Sequence, residues 1–333
     1  MVLKSIFLIF ILCLPLSAQA TTLKIATLAP DGSSWMNTIR ASADKIDQAT
    51  EGRVQFKFYP GGVMGDDKAV LRKMRIGQLQ GAVVASGSLS RFYPDSQVYN
   101  LILKFRSFDE VDYVRQHLDQ TIIQGFADAG LVTFGLSEGG FAYAMSQQPV
   151  HGVEDLKPLK IWAPDYDAMS RIAMQAFGIN PIPLPISDVL TGLQTGLIDS
   201  VAGTPVGTLA LQWHTQLDYA NNLPLLYIYG TLAINRKDFD RLSAEDQQAV
   251  SRYMTEAFNA IDRQTRKDNL AAFEALKTQG IEIISPTNEE LAGWEAKAEL
   301  ANEKLISEGV VSQQMANHLD ELLAQFRTRN SQL

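Results

Sequence analysis

Residues 135–139 read GLSEG, which matches the G-x-S-x-G pattern of a serine nucleophile at a strand-to-helix turn. That turn needs a strand before the serine and a helix after it, because only then does the hydroxyl group stand exposed. The segment 140–144 (GFAYA) favours an extended chain instead. Asp218 and His318 follow in the order of a catalytic triad, but His318 falls in a polar helical pattern near the C-terminus. A serine hydrolase using Ser137 is therefore an alternative and not the favoured function.

The residue types that bind metals do not form a pattern that would hold an ion. The four histidines are scattered without an H-x-x-x-H pair, and the only cysteine is Cys13. Asp31, Asp66 and Asp67 stand next to or near glycines, where they are typical turn and capping residues. We therefore expect no metal, no cofactor and no covalent chemistry.

The first twenty residues have the pattern of a secretory signal peptide. Lys4 supplies the positive charge, 6–16 the apolar stretch, and 18–20 (AQA) the small residues of a cleavage site after Ala20. Removing Lys4 takes the formal net charge from −8 to −9. An acidic exported chain without a basic run does not favour nucleic acid as a partner. We expect a soluble periplasmic protein that starts at Thr21 and contains no cysteine.

Strand and helix patterns alternate along the rest of the chain, which is typical of an α/β fold with a ligand crevice at the strand ends. Within 151–205, two strand–helix units follow each other, with strands at 159–163 and 180–185. A helical pattern of about 37 residues at 243–279 would be roughly 55 Å long, enough to span two domains. Further strands are predicted at 22–28, 53–59, 80–85, 131–136, 141–145, 197–201, 225–235 and 281–284, and further helices at 108–118, 121–129, 165–177, 206–217, from Ser187 and from about Ser312.

Several local motifs, in this order and spacing, resemble the substrate-binding proteins of tripartite ATP-independent periplasmic (TRAP) transporters, of the dicarboxylate-binding type. They are 23–26 (LKIA) followed by Trp35, 58–62 (FYPGG), 77–81 (GQLQG), 155–161 (DLKPLKI) and 193–199 (LQTGLID). The resemblance implies a two-domain α/β periplasmic-binding-protein fold that closes on a small-molecule ligand by a hinge. It also implies delivery to a large and a small membrane subunit, and the sequence is similar to the subgroup with a periplasmic tetratricopeptide-repeat partner.

The resemblance sets domain limits that the structure can be compared with. The first domain is expected at 21–142 plus 229–260 and the second at 143–228 plus 261–310. The last helix, within 311–333, is expected to pack across both.

The sequence departs from the family pattern where relatives usually bind an organic acid. The family's carboxylate-binding arginine follows the strand motif that ends at Ile161, and Trp162 stands there instead. Ala142 replaces a second arginine, and Gly203 aligns near an expected asparagine, with room for a slip of one residue. Three polar anchors are lost together. A pocket for a hydrophobic or aromatic-containing ligand is the favoured hypothesis.

The candidate pocket residues are mostly aromatic, and core packing is the alternative for each of them. Two other functions stay open: a binder of ordinary organic acids through different contacts, and a binding protein that serves a sensor or carries lipids. The candidate ligand-binding residues are Trp35, Ser86, Phe141, Ala142, Trp162, Gly203, Trp213 and Tyr227.

Overall fold

The computed structural model describes residues 20–165 and 167–331 of the chain. The predicted signal peptide therefore lies outside the described residues, except for Ala20. Eleven strands are found in this part of the chain: β1 (Thr21–Thr27), β2 (Val54–Tyr59), β3 (Gly81–Ala85), β4 (Leu131–Thr133), β5 (Ser137–Ser146), β6 (Trp162–Pro164), β7 (Ile182–Leu184), β8 (Ser200–Gly203), β9 (Tyr219–Asn221), β10 (Leu226–Asn235) and β11 (Glu282–Ile284).

Two long antiparallel strands, β5 and β10, join the two domains of this α/β fold. The strand order is β11-β9-β5-β10-β3-β1-β2, with β4 added beside β10 and β8 beside β5. The first half of β5 pairs with β10, and from Tyr143 onward it pairs with β8 and β9. The β5–β10 register shifts between Ile228 and Tyr229, which leaves Gly139 as the extra residue of a bulge. The exact domain limits stay a prediction.

Eleven α-helices accompany the sheets in the described part of the chain. They are α1 (Ser34–Ala49), α2 (Asp67–Arg75), α3 (Ser86–Leu89), α4 (Phe108–Asp128), α5 (Ala168–Ala176), α6 (Val189–Gln194), α7 (Pro205–Ala210), α8 (Arg236–Phe239), α9 (Ala244–Thr278), α10 (Asn288–Ser307) and α11 (Gln313–Asn330). No helix among the described residues is both long enough and apolar enough to cross a membrane.

Helix α9 confirms the long domain-spanning helix. Its 35 residues begin after Ser243, whose side chain accepts a hydrogen bond from the Asp246 N–H group, and end before Gly280 at φ +97°. Phe258 on α9 packs with α1, whereas Asn269 on the same helix donates to the Gly139 carbonyl oxygen at the bulge. The helix therefore braces both the first domain and the strand that leaves it.

Three sequence-based boundaries are corrected by the structure. The helices predicted at 108–118 and 121–129 are one helix, α4. Asp119, at the predicted break, accepts hydrogen bonds from Tyr99 and Arg115 within the continuous helix. The helix predicted at 206–217 is only α7, followed by a 3-10 turn that contains Trp213. Ser187 does not cap α6, since it lies inside a short 3-10 segment that precedes this helix.

Candidate functional site

A cavity of about 130 Å³, which we call the outer cavity, lies between the start of α3 and the start of α5. Its floor comes from β5 and β10 through Ala142, Leu226 and Ile228. Ala142 and Leu226 are cross-strand partners, so their side chains lie on the same face of the sheet. The cavity thus sits where the strands pass from one domain to the other, the position at which two-domain binding proteins hold their ligands.

Three of the predicted site residues meet in this cavity: Ser86, Ala142 and Trp162. Trp162 is 6 % exposed, and its indole N–H group donates to the Leu184 carbonyl oxygen at 2.9 Å. That hydrogen bond and an edge-on contact with Trp213, with ring centroids 5.3 Å apart, fix the ring. The indole therefore presents apolar surface to the cavity and has no free donor for a ligand.

The polar side chains of the outer cavity hydrogen-bond one another and the nearby backbone. The Ser86 hydroxyl group donates to Asn100 Oδ1 at 2.9 Å, and the Asn100 amide donates to the Tyr227 carbonyl oxygen at 2.7 Å. Asp167 caps α5 by accepting from the Met169 N–H group at 3.1 Å and also accepts from the Ser170 hydroxyl group. Burial raises the pKa of Asp167, against the opposing effect of the Ser170 hydrogen bond.

Asp167 is the charged residue of the outer cavity, and sequence reasoning missed it. No lysine, arginine or histidine lines the cavity in the part of the chain that the structure describes. The carboxylate lies next to the α3 start, about 3.7 Å from the position that a Cβ atom on Gly87 would occupy. An aspartate before an apolar helix is a common cap, so its type and position alone gave no signal of a pocket.

The other five predicted site residues lie outside the outer cavity. Trp35 packs edge-on against Phe258 in the α1–α9 core. Phe141 and Tyr227 belong to an aromatic cluster on the opposite face of β5 and β10, with ring centroids 5.7 Å apart. Gly203 faces Trp213 within the second domain, where a Cβ atom would come within 3.3 Å of the indole.

The neighbour of Gly203, Ala202, does line the outer cavity. On β8, Ala202 borders the outer cavity and the predicted Gly203 does not. The sequence allowed this slip of one residue but could not decide it, because both residues are small and no anchoring side chain fixes the alignment.

The serine of the G-x-S-x-G segment has no catalytic surroundings. Ser137 is the first residue of β5, and the chain continues as a strand rather than a helix. Its hydroxyl group donates to the Gly230 carbonyl oxygen at 3.4 Å. His318 lies far along the chain in α11, which packs on α4. The geometry lacks the turn that a nucleophile elbow requires.

A buried ion-pair network adjoins the opposite face of β5. The Glu138 side chain is fully buried and accepts from Arg266 at 2.7 Å. Arg266 also donates to Asp112 on α4, and Arg115 donates to Asp262 at 2.8 Å. Burial raises the pKa of Glu138, and Arg266 offsets this only in part. Both arginines near the strand crossing are therefore bound by fixed acidic partners.

Two α/β domains joined by a pair of antiparallel strands, with a cavity at the crossing, are typical of ligand-binding proteins of the hinge-closing class. The model of the family DctP, "Bacterial extracellular solute-binding protein, family 7", matches residues 25–308. The chain belongs to this family of TRAP periplasmic solute-binding proteins.

Two named relatives are similar over most of their length. The sialic acid-binding periplasmic protein SiaP of Vibrio cholerae is 24 % identical over 296 residues, which cover 85 % of this chain and 90 % of the relative. The C4-dicarboxylate-binding periplasmic protein DctP of Rhodobacter capsulatus is 23 % identical over 291 residues, covering 85 % and 86 %.

Solved structures share the fold. A TRAP periplasmic solute-binding protein from Xanthobacter autotrophicus Py2 with bound β-D-galacturonate superposes with a TM-score of 0.82 at 20 % identity, covering 91 % of this chain and 99 % of that one. DctP7 of Bordetella pertussis, a receptor that binds pyroglutamic acid, gives 0.82 at 19 % identity, with 92 % and 100 % covered. The named ligands of these relatives are organic acids or sugar acids.

Proposed function

We propose that this protein captures a small apolar or aromatic-containing molecule in the outer cavity and delivers it, in the periplasm, to the membrane subunits of a TRAP transporter. One observation carries the proposal: the described lining of the cavity contains no cationic side chain, and Asp167 is its one charged residue. A site for a carboxylate ligand usually has the reverse charge, with an arginine that binds the carboxylate through two hydrogen bonds.

The energetics favour an uncharged ligand surface. Burying a carboxylate without a cationic partner costs several kcal/mol, and the nearby carboxylate of Asp167 adds like-charge repulsion. Apolar area removed from water contributes roughly 25 cal/mol per Å², so a ligand that buries about 200 Å² gains about 5 kcal/mol. Trp162, Ala142 and Leu226 provide that apolar surface.

A thermal-shift screen separates this proposal from its alternative, an organic-acid binder that uses other contacts. We expect indole and phenylalkyl alcohols to raise the melting temperature, and glucuronate, galacturonate and a C4-dicarboxylate to leave it unchanged. The Trp162→Phe variant should lose part of the ligand-induced shift, whereas Trp35→Phe, in the α1–α9 core, should keep all of it. Stabilisation by the acids alone would overturn the proposal.

The proposed transport role, as opposed to sensing or lipid carriage, rests on family membership. Genes for a large and a small TRAP membrane subunit beside this one would support transport, and a neighbouring histidine kinase would support sensing. A neighbouring gene for a periplasmic tetratricopeptide-repeat protein would support the third partner. N-terminal sequencing of the protein from a periplasmic fraction should give Thr21 as the first residue.

A further inference from the structure

A second cavity of about 110 Å³, the inner cavity, adjoins the outer one beneath α5. An apolar cavity of about 150 Å³ is large enough to bind benzene, so each cavity here has the size of about one ring or a short alkyl segment. The two cavities have six lining residues in common: Ile102, Ser170, Ala173, Met174, Ala202 and Leu226. The space at the strand crossing therefore continues into the second domain.

A single face of β5 forms the floor of both cavities. Ala142 lines the outer cavity and Ala144 the inner one, two residues further along the same face. Their cross-strand partners, Leu226 and Ala202, border both cavities. Above the floor, Ser170, Ala173 and Met174 lie on one side of α5 at the i, i+3, i+4 spacing. Short side chains thus keep the floor open from one cavity to the next.

The inner cavity offers a ligand almost no polar group. The three serine hydroxyl groups in its wall donate elsewhere: Ser146 to the Gln148 carbonyl oxygen, Ser170 to Asp167 and Ser200 to Asp199. The indole N–H group of Trp294, which closes the far side from α10, donates to the His151 carbonyl oxygen at 3.0 Å. Apolar cavities of this kind stay dry and bind apolar groups.

The outer cavity, unlike the inner one, contains polar atoms that can still accept hydrogen bonds from a ligand. The Asp167 carboxylate accepts at both oxygens without using all their lone pairs, and the Ser86 hydroxyl oxygen donates its proton away but can still accept. The ligand group that fits there is therefore a hydrogen-bond donor. A carboxylate at the same place would face Asp167.

We propose that the ligand is an elongated amphipathic molecule whose donor head, a hydroxyl or amine group, lies in the outer cavity and whose apolar tail enters the inner cavity. This inference rests on the proposed function, because it takes the outer cavity as the ligand site. It adds a substrate class and a length: by comparison with benzene in a cavity of about 150 Å³, about four carbon atoms of the tail fill the inner cavity.

The test is a calorimetric titration of the full-length mature protein with straight-chain primary alcohols from butanol to decanol, and with the carboxylic acid of each length. We expect affinity for the alcohols to rise about fourfold per methylene group until the inner cavity is full, and then to level off. Each acid should bind more weakly than the alcohol of the same length.

Two matched variants on β5 locate the tail. Ala144→Leu fills the inner cavity, so the gain with chain length should level off at a shorter alcohol, and octanol should lose more affinity than butanol. Ala142→Leu fills the outer cavity and should weaken binding of every length. Ala144→Val replaces Ala144→Leu if the larger side chain lowers the melting temperature strongly.

The outcomes distinguish this inference from the function on which it rests. Neutral ligands that bind with no dependence on chain length, or a length dependence that Ala144→Leu leaves untouched, overturn the inference alone. Binding of glucuronate or a C4-dicarboxylate with no binding of any alcohol overturns both.

Discussion

The two halves of β5 place very different side chains within a few residues of one another. Near its start, Glu138 is buried with Arg266 among charged groups from α4 and α9. Beyond the bulge, Ala142 and Ala144 form a floor, and no cationic side chain among the described residues lines the cavities above it. The chain can bury arginine at the strand crossing, but it uses those arginines for internal pairs. The contrast indicates that the cavity lacks a cation because of its residue composition and not because the fold lacks room for a guanidinium group.

Removing one partner of the buried pair should have the largest effect. In Arg266→Met, Glu138 stays buried without its cation, and we expect a loss of about 3–5 kcal/mol in the free energy of unfolding. Urea denaturation measures this loss. The double variant Arg266→Met/Glu138→Gln should recover a large part of it, because no unpaired charge remains. A double variant as unstable as the single one would contradict the role of the pair.

Giving the cavity an arginine should reverse its ligand preference. We expect Ala142→Arg in an Asp167→Asn background to raise the affinity for glucuronate by roughly ten- to a hundredfold, the range for a charge-assisted hydrogen bond. Isothermal titration measures the change, and Ala142→Gln in the same background is the uncharged control. Equal gains in both variants would mean that charge is not what the cavity lacks.

The bulge that separates the two halves should tolerate no side chain. Gly140 has φ +99°, and a Cβ atom there would lie 2.5 Å from Asn269 Nδ2. We expect Gly140→Ala to cost about 1–3 kcal/mol from backbone strain, and more from this contact. Gly178→Ala is the matched control, since Gly178 has φ +79° and open space around it. Similar denaturation midpoints for the two variants would show that Asn269 moves aside freely.

The smallest expected effect concerns the charge that the cavity does carry. Burial raises the pKa of Asp167 in the folded protein above its usual value of 3.8. The protonated side chain therefore stabilises the fold at low pH, and this stabilisation is lost as the pH rises from 3.8 through the pKa of the folded state. Asparagine also caps helices, so Asp167→Asn should keep the cap of α5 but remove the decline in stability with pH. We expect the free energy of unfolding to change by less than about 1 kcal/mol. Melting temperatures from pH 3 to 8 measure it. Parallel curves for the two proteins would argue against a titrating Asp167.

The sequence predicts the fold well where local signals are strong. Ser243 and Gly280 mark the ends of α9 to within a residue, because a cap and a left-handed glycine act locally. The family pattern led us to expect Trp162 and Ala142 close together, and both line the outer cavity. By contrast, Phe141 and Tyr227 have the residue types of a pocket but pack into a core. The inner cavity is closed by Trp294, which lies more than a hundred residues from α5 in the sequence, so no local pattern indicates it. Apolar residues that line a cavity are also of the same types as those that fill a core.

The bulge at Gly139 also determines the face of β5 from which the Glu138 carboxylate projects. In a regular strand, residues 138, 142 and 144 would all project from one face. The extra residue changes the parity, so Glu138 pairs with Tyr229 whereas Ala142 pairs with Leu226, and the two side chains leave β5 on opposite faces. Adding one residue to β10 between Ile228 and Tyr229, so that Gly139 gains a partner and the bulge becomes regular, would turn the Glu138 carboxylate onto the floor of the cavity. The neutrality of the floor therefore depends on a count of residues as well as on their identity.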